Sequence, residues 1–374
     1  MTSELNPDPF QADPFRVVPL QLPDSLEAPE AADFLAANQV LDAIRLAIWH
    51  NRDRISDLQT RLVSWRPNEY RRLEVFLGKL DGQVIGLSWV NLTLQDNLRT
   101  AYVNASVLPE LRGRGYAQEL LAVAEQYASD QGRKTLLAST EHRADFDPLG
   151  PGVLSPVSGT GTIPENDPFV RFALKSGYQL EQVERFSALQ LPVPAEKLEA
   201  LIASSGAKAG EDYRLELWQD RCPDELVASF AVANSRMSTD VPSAGLDIEA
   251  EVWDAQRVRE MENRYLEARH RIAVCAVVHV PSGEIAAYTY FDFNPEKPEL
   301  VTQEDTLVVG NHRGKRLGML VKAANIQSIQ KELPQLQRAI TWNAAENDHM
   351  LSINIELGFV PAGYDGEWQK RLAP

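Results

Sequence analysis

The sequence predicts an α/β protein built as two tandem, similar domains, and three observations predict it. First, 374 residues exceed one domain of ordinary size and fit two. Second, runs with period-two alternation are interleaved with stretches whose apolar residues recur at i, i+3, i+4 and i+7. Third, one order of elements occurs twice: strand, basic glycine loop, helix, strand, helix, glycine–aromatic pair. Arg112 of the first loop aligns with Arg313 of the second, 201 residues later, and such a repeat marks a duplicated unit.

In chain order, residues 1–15 read as a loose N-terminal arm with three prolines and no apolar period. Residues 16–22 are a candidate strand, and 31–65 a helical region with polar breaks near 51–53. Residues 72–80 and 83–92 alternate around Asp81-Gly82, a type I′ hairpin signal. A strand at 99–108 feeds the loop Arg112-Gly113-Arg114-Gly115-Tyr116-Ala117. The following helix has Ala117, Leu120, Leu121, Ala124 and Ala128 on one face and ends near Gly132. A strand at 134–140 follows. Residues 143–165, rich in Gly, Pro and Ser, read as an inserted surface loop or lid. A helix at 167–176 stops at Gly177-Tyr178, and a strand at 179–191 closes a first domain of 16–191.

Residues 192–210 carry two prolines, a short helical stretch and Ser-Ser-Gly-Ala-Lys-Ala, and read as a linker. The second domain, 211–374, repeats the programme. It has a strand at 213–219, helices at 222–237 and 255–269, and a hairpin of 271–280 with 284–293. A strand at 300–309 then feeds the second loop, Arg313-Gly314-Lys315-Arg316-Leu317-Gly318. The helix after it ends before Pro334. A strand at 337–341 and a helix at 348–356 lead to Gly358-Phe359.

Composition bounds the function. Hydrophobic residues make up 44% and charged residues 24%, enough for two cores. A net charge of −16 argues against nucleic acid or an anionic membrane as partner and is compatible with a cationic amine substrate. Cys275 lies in an apolar run and reads as a buried thiol, which with the absence of an apolar leader leads us to expect a cytoplasmic protein. The longest apolar run, 272–280, is far short of the ~20 residues a membrane span needs. His279 and His349 lack partners at metal-ligand spacing, so no metal site is expected. Nothing in the sequence bears on oligomeric state.

A helix N-terminus preceded by glycines is an anion cradle, because its first N–H groups are unpaired and its dipole end is positive. Both loops are basic on an acidic chain. Neither is followed by Lys-Ser/Thr in the manner of a Walker loop. The order Arg112-x-x-Gly115-x-Ala117 resembles the pyrophosphate loop of the GNAT (GCN5-related) N-acyltransferases. With the repeat, the chain resembles a tandem GNAT protein across about 16–190 and 211–372, an architecture similar to that of mycothiol synthase. The resemblance implies an α/β (α+β) fold of two mixed sheets, each splayed between its fourth and fifth strands. It implies acetyl-CoA or another acyl-CoA as co-substrate. Val107 and Leu108, with Val308 and Val309, would pair with the pantetheine arm. The two loops, Arg112 to Ala117 and Arg313 to Gly318, would hold the pyrophosphate, and Asn347 would lie beside the thiol end.

Two departures stand out. Arg316 replaces the second loop's central glycine, where its N–H could still donate if its φ is negative. A family tyrosine expected four residues before the glycine–aromatic pair, acting as acid to the leaving thiolate, is Ala173 in one half and Asn354 in the other.

Acyl transfer to an amine needs a base for the amine proton and a stabilised oxyanion. Glu304 and Asp305, on the strand feeding the second loop, are the candidate bases. Strict alternation puts them on opposite faces, with Thr306 and Val308 sharing the face of Glu304. The aligned first-half residues, Val103 and Asn104, cannot do this work. A solvated strand edge is the alternative reading of the pair. Glu141 and His142 are candidates for a first-half site. Tyr288 and Tyr290 share one face and could wall a substrate pocket or simply fill the core. The expected function is N-acyl transfer to a small primary amine, catalysed in the second half. First-half catalysis, and a non-catalytic acyl-CoA-binding protein, are the alternatives.

Overall fold

The computed structural model describes residues 15–372, so the arm expected at 1–15 lies outside the described residues apart from Phe15. The first half contains β1 (Arg16–Pro19), α1 (Ala32–Trp49), α2 (Leu58–Trp65), β2 (Arg71–Leu80), β3 (Gln83–Thr93), β4 (Thr100–Val107), α3 (Tyr116–Asp130) and β5 (Thr135–Arg143). A small ladder of β6 (Val153–Leu154) with β7 (Ile163–Pro164), then α4 (Pro168–Lys175) and β8 (Gln179–Gln190), complete it. After α5 (Ala195–Ala209) come β9 (Tyr213–Gln219), α6 (Val227–Asp240), α7 (Ala255–Glu267), β10 (Arg271–His279), β11 (Glu284–Phe293) and β12 (Leu300–Val308). Then follow α8 (Leu317–Glu332), β13 (Arg338–Ala344), α9 (Asp348–Leu357) and β14 (Val360–Arg371).

Local chemistry sets the boundaries. Asp81 (φ 49°) and Gly82 (φ 78°) both take the left-handed region that a type I′ turn demands. His50 ends α1 in the left-handed conformation, and the Asp57 carboxylate starts α2 by accepting from the Thr60 N–H at 2.8 Å.

Twelve strands form one sheet in the order β1-β2-β3-β4-β5-β14-β8-β13-β12-β11-β10-β9. The two halves therefore exchange their last strands. β14, from the chain's C-terminus, pairs with β5 of the first half, β8 pairs with β13 of the second, and β8 and β14 pair with each other. No strand was expected after Phe359, because Pro361, two glycines and four charged residues hide the period of β14. The repeat was the available signal: β8 follows Gly177-Tyr178 as β14 follows Gly358-Phe359.

One face of the sheet packs against α3, α4, α5, α8 and α9, and the other against α1, α2, α6 and α7. The linker carries a longer helix than the short helical stretch expected there. Within 192–210, residues 195–209 form a helix, because Leu198, Leu201, Ile202, Ser205 and Ala209 make a stripe against α8. That second cover explains why α8 is buried on both sides. The 143–165 insert is not a free lid: Ile163 is fully buried in the first-half core.

The halves are also clasped through His270, whose Nδ1 lies 2.6 Å from Asp292 and Nε2 3.6 Å from Asp57 at the start of α2. Burial works to lower its pKa, but the bonds to Asp292 and Asp57 outweigh it and raise it to about 9. Its stabilisation is therefore fully present below the unfolded value and lost as pH rises through about 9. His270→Gln should cost about 1–2 kcal/mol at pH 6. Denaturant titrations should show the gap to the parent protein closing above that pKa.

Candidate active site

Each half opens a cleft in the sheet. β4 and β5 pair in parallel only from Thr100–Tyr102 with Thr135–Leu137, then part. β12 and β13 do the same after Leu300–Thr302 with Arg338–Ile340. Beyond these points one edge of β4 and of β12 faces a split instead of a neighbour.

In the first half a crevice runs from the loop into the split. Its outer part is lined by Arg112, Gly113, Gly115 and Tyr116, and Ala105, Ser106, Phe169 and Phe172 carry it into the inner part. The inner end reaches Glu141 and Arg45. Gly113 (φ 77°) and Gly115 (φ 94°) take a backbone that other residues adopt only with strain. α3 starts with no side-chain cap. Arg112 stacks 4.6 Å over the Phe169 ring, and its buried Nη2 has no hydrogen-bond partner. A buried guanidinium nitrogen left unpaired at an uncapped helix start fits an anionic group such as a pyrophosphate. Arg114 is exposed at the rim and Ala117 lies in the first helical turn. Val107 is buried, and Leu108 packs with the α1 core and donates to Ile85 O.

The second loop repeats this backbone. Arg313 (φ −64°, ψ 162°) matches Arg112 (φ −65°, ψ 160°), and Gly314 (φ 80°) matches Gly113. Arg316 has φ 58°, so the negative φ on which its N–H was expected to serve is not adopted. It takes the place of Gly115 in the left-handed region, at a cost of about 1–2 kcal/mol. The cations here have partners within the chain. Arg313 donates to Asp240 O at 3.1 Å, Arg316 pairs with Glu356 at 2.9 Å, and Lys315 lies 5.3 Å over Tyr213. Leu317 is buried, and Gly318 lets α8 approach Ile353 of α9. Val308 packs in the core beneath α8, and Val309 is half-buried on the opposite side. Asn347 caps α9, its Oδ1 accepting from Met350 N at 3.2 Å.

Glu304 and Asp305 do not alternate. β11 and β12 pair Thr289 with Thr306 and Phe291 with Gln303, so Tyr290 alone opposes both acids. This β-bulge sets two residues against one. Asp305 is hydrogen-bonded to Tyr288, and Glu304 lies close to Tyr265 and Tyr290. Both acids are thus on the α6/α7 face. Thr306 bonds Thr289 at 2.7 Å and Val308 packs beneath α8, so both lie opposite Glu304, against the expectation from alternation. First-half strands pair evenly, Ser88 with Ala105 and Val90 with Val103. The bulge therefore aligns Gln303 with Val103, and the two acids share the single position of Asn104.

Burial, then the charges of Asp292 and Asp305, raises Glu304 to about 8. Burial, then Glu251, raises Asp305 to about 6. Glu304 opens onto a cavity shared with Arg54, His270, Asp292 and Trp342. Tyr288 and Tyr290 are buried in the core with Phe230 and Leu307.

Sequence reasoning missed a carboxylate row across the central strands. Glu141 on β5 and Glu184 on β8 lie directly opposite Asp365 on β14, on either side of it. Arg54 binds both Asp365 oxygens at 2.9 and 2.7 Å and reaches Glu141 at 3.4 Å. Only the strand exchange brings these residues together, so no local spacing announces them. His142, next to Glu141, is buried and sits 3.6 Å from Asp167. Among the described residues no group of three or more His, Cys, Asp or Glu could hold a metal, and no helix is long and apolar enough to cross a membrane.

Sheet, splits and paired glycine loops define a GNAT-fold protein. Residues 42–145 match the Acetyltransferase (GNAT) family, whose members use acyl-CoA as co-substrate, and the whole chain has the fold of a tandem GNAT protein. The fold is shared with a tandem GNAT protein from the clavulanic acid biosynthesis pathway (TM-score 0.70, 23% identity, covering 96% of this chain and 99% of that one). It is shared with a GCN5-related N-acetyltransferase from Sphaerobacter thermophilus (0.58, 14%, 96% and 96%). A glucosamine N-acetyltransferase region in a fungal multi-domain GH3 β-N-acetylglucosaminidase has it too (0.58, 12%, 96% and 38%). No curated protein matches the sequence.

Proposed function

We propose that this protein transfers an acetyl or short acyl group from acyl-CoA to a small primary amine, by direct attack in a ternary complex, with the second split as the reacting site. The observation that carries this is the bulge, which sets two half-buried carboxylates on one face at that split. At neutral pH Asp305 is ionised and Glu304 largely protonated, so Asp305 can take a proton directly and Glu304 does so as pH approaches 8. The carboxylate-rich floor and the net charge of −16 support a cationic acceptor and no nucleic-acid or membrane partner, and the free, buried Cys222 and Cys275 fit a cytoplasmic location. Arg112 and the α3 N-terminus would hold the pyrophosphate of acyl-CoA in the first half, and the second loop offers the same backbone cradle.

One observation favours a second reading. The first crevice is continuous from the loop to Glu141, which would place catalysis in the first half. Release of free CoA, followed with a thiol reagent across a panel of amines, tests the function. Turnover lost in an Asp305→Asn, Glu304→Gln double variant supports second-half catalysis. Turnover kept by that variant and lost in Glu141→Gln moves it to the first half. Tight CoA binding with no turnover on any amine leaves a non-catalytic acyl-CoA-binding protein. Arg112→Ala should weaken CoA binding about 10–100-fold by calorimetry, the scale of losing a hydrogen bond to a charged group.

A further inference from the structure

The two splits, alike in backbone, differ in what they bury on the α3/α8 face. In the first half Val103, Leu121, Ala173 and Tyr178 line it, and all four belong to the apolar core. The repeat places Gln303, Lys322, Asn354 and Phe359 at these positions. Lys322 is 1% exposed, makes no ion pair or hydrogen bond among the described residues, and has the Phe359 ring 5.4 Å from its Nζ. Asn354 is fully buried. Its Nδ2 donates to Asn343 at 2.6 Å and its Oδ1 has no partner. Gln303 Oε1, also buried, is unpartnered too. Burying an unpaired amine is costly and leaves it without a structural role as an ion-pair partner.

We propose that Lys322 is the group that receives the negative charge of the departing thiolate in the second split. This rests on the reading of that split as the reacting site. The amine nitrogen forms a C–N bond to the acyl carbon and gives its proton to Asp305 or Glu304 on the α6/α7 face. The C–S bond breaks, its electron pair stays on sulfur, and the Lys322 ammonium on the α8 face gives a proton to that sulfur. The lysine leaves the step neutral and the carboxylate protonated, and exchange with solvent after release restores both. Gln303 and Glu304, adjacent in sequence but on opposite faces, show how β12 separates base from acid. Burial pushes the Lys322 ammonium down to about 7, within reach of the neutral form the step requires.

The first-half residue supplies the test, since Lys322→Leu recreates the packing of Leu121. At saturating acyl-CoA and amine, kcat of the parent protein should fall as pH rises through the lysine's ionisation near 7, and Lys322→Leu should abolish that falling limb while CoA stoichiometry is kept. Its kcat should fall at least 100-fold with little change in KM, and thermal stability should hold or rise. Lys322→Met serves the same purpose should the leucine variant not fold. If a second equivalent of CoA binds and loss of the two acids stops turnover, yet both lysine variants keep the falling limb and kcat, the assignment to Lys322 is wrong and the site stands. If all CoA binding is lost in Arg112→Ala and turnover ignores Glu304 and Asp305, the site itself is wrong, and the lysine role falls with it.

Discussion

Asp305→Asn combined with Glu304→Gln is expected to lower kcat for acyl transfer by about 10²–10⁴-fold, the usual range for a general base. The amides keep the side-chain shapes, so stability should change little. The single variants divide the role through pH. With Asp305 as the working base, the rising limb of kcat/KM follows ionisation near pH 6. With Glu304, it follows ionisation near pH 8. Asp305→Asn also removes a carboxyl that helps to raise Glu304, whereas Glu304→Gln leaves Asp305, whose rise comes from burial and Glu251, close to its parent value. A rising limb that stays near pH 6 in Glu304→Gln identifies Asp305 as the base. One that disappears with Glu304 identifies Glu304.

Arg54→Met should destabilise the protein by about 3–5 kcal/mol at neutral pH, the cost of leaving a buried charge unpaired. Arg54 is the cation directly bonded to Asp365, and Trp49, Phe186 and Trp342 surround its guanidinium at 4.6 to 5.0 Å. Without it Asp365 lies between Glu141 and Glu184 with no bonded cation, and Arg45, 3.7 Å from Glu141, remains the nearby arginine. Burial and the neighbouring Asp365 and Glu346 carboxyls already hold Glu184 up at about 7. Carboxyls whose folded pKa exceeds the unfolded value bind extra protons in the native state, so stability falls as pH rises. The deficit of Arg54→Met should therefore be greatest above pH 7 and shrink toward pH 5, read from denaturant midpoints at each pH. Arg54→Lys, which keeps the charge but not the two-pronged geometry, should fall between.

The sequence makes the duplication, the hairpins and the glycine loops legible because each is local. Asp81-Gly82 signals its turn, and Leu120, Leu121 and Ala124 signal the buried stripe of α3. Features that depend on distant pairing are not legible in this way. Alternation places Glu304 and Asp305 on opposite faces, and only the register against Thr289 and Phe291 reveals the extra residue between them. Lys322 is equally hidden. Its place on α8 matches that of Leu121 on α3, and the Phe359 ring 5.4 Å from its Nζ helps to enclose it. The polarity of the second split becomes visible when Lys322 and Asn354 are set against Leu121 and Ala173 in the first.

The strand exchange has a consequence for biosynthesis. The ribosome delivers β5 more than 200 residues before β14, the strand that fills the place beside it. β8 emerges first and is then the only last strand available, so a nascent chain can seat it where β14 belongs. Reaching the native order then requires that place to be vacated late, after residues 360–371 have emerged. Pairings so distant in sequence are slow to form. Refolding should accordingly be slower than for a single domain of half the length, and a chain lacking residues 360–371 should retain β8 in the wrong place and accumulate as an aggregation-prone species.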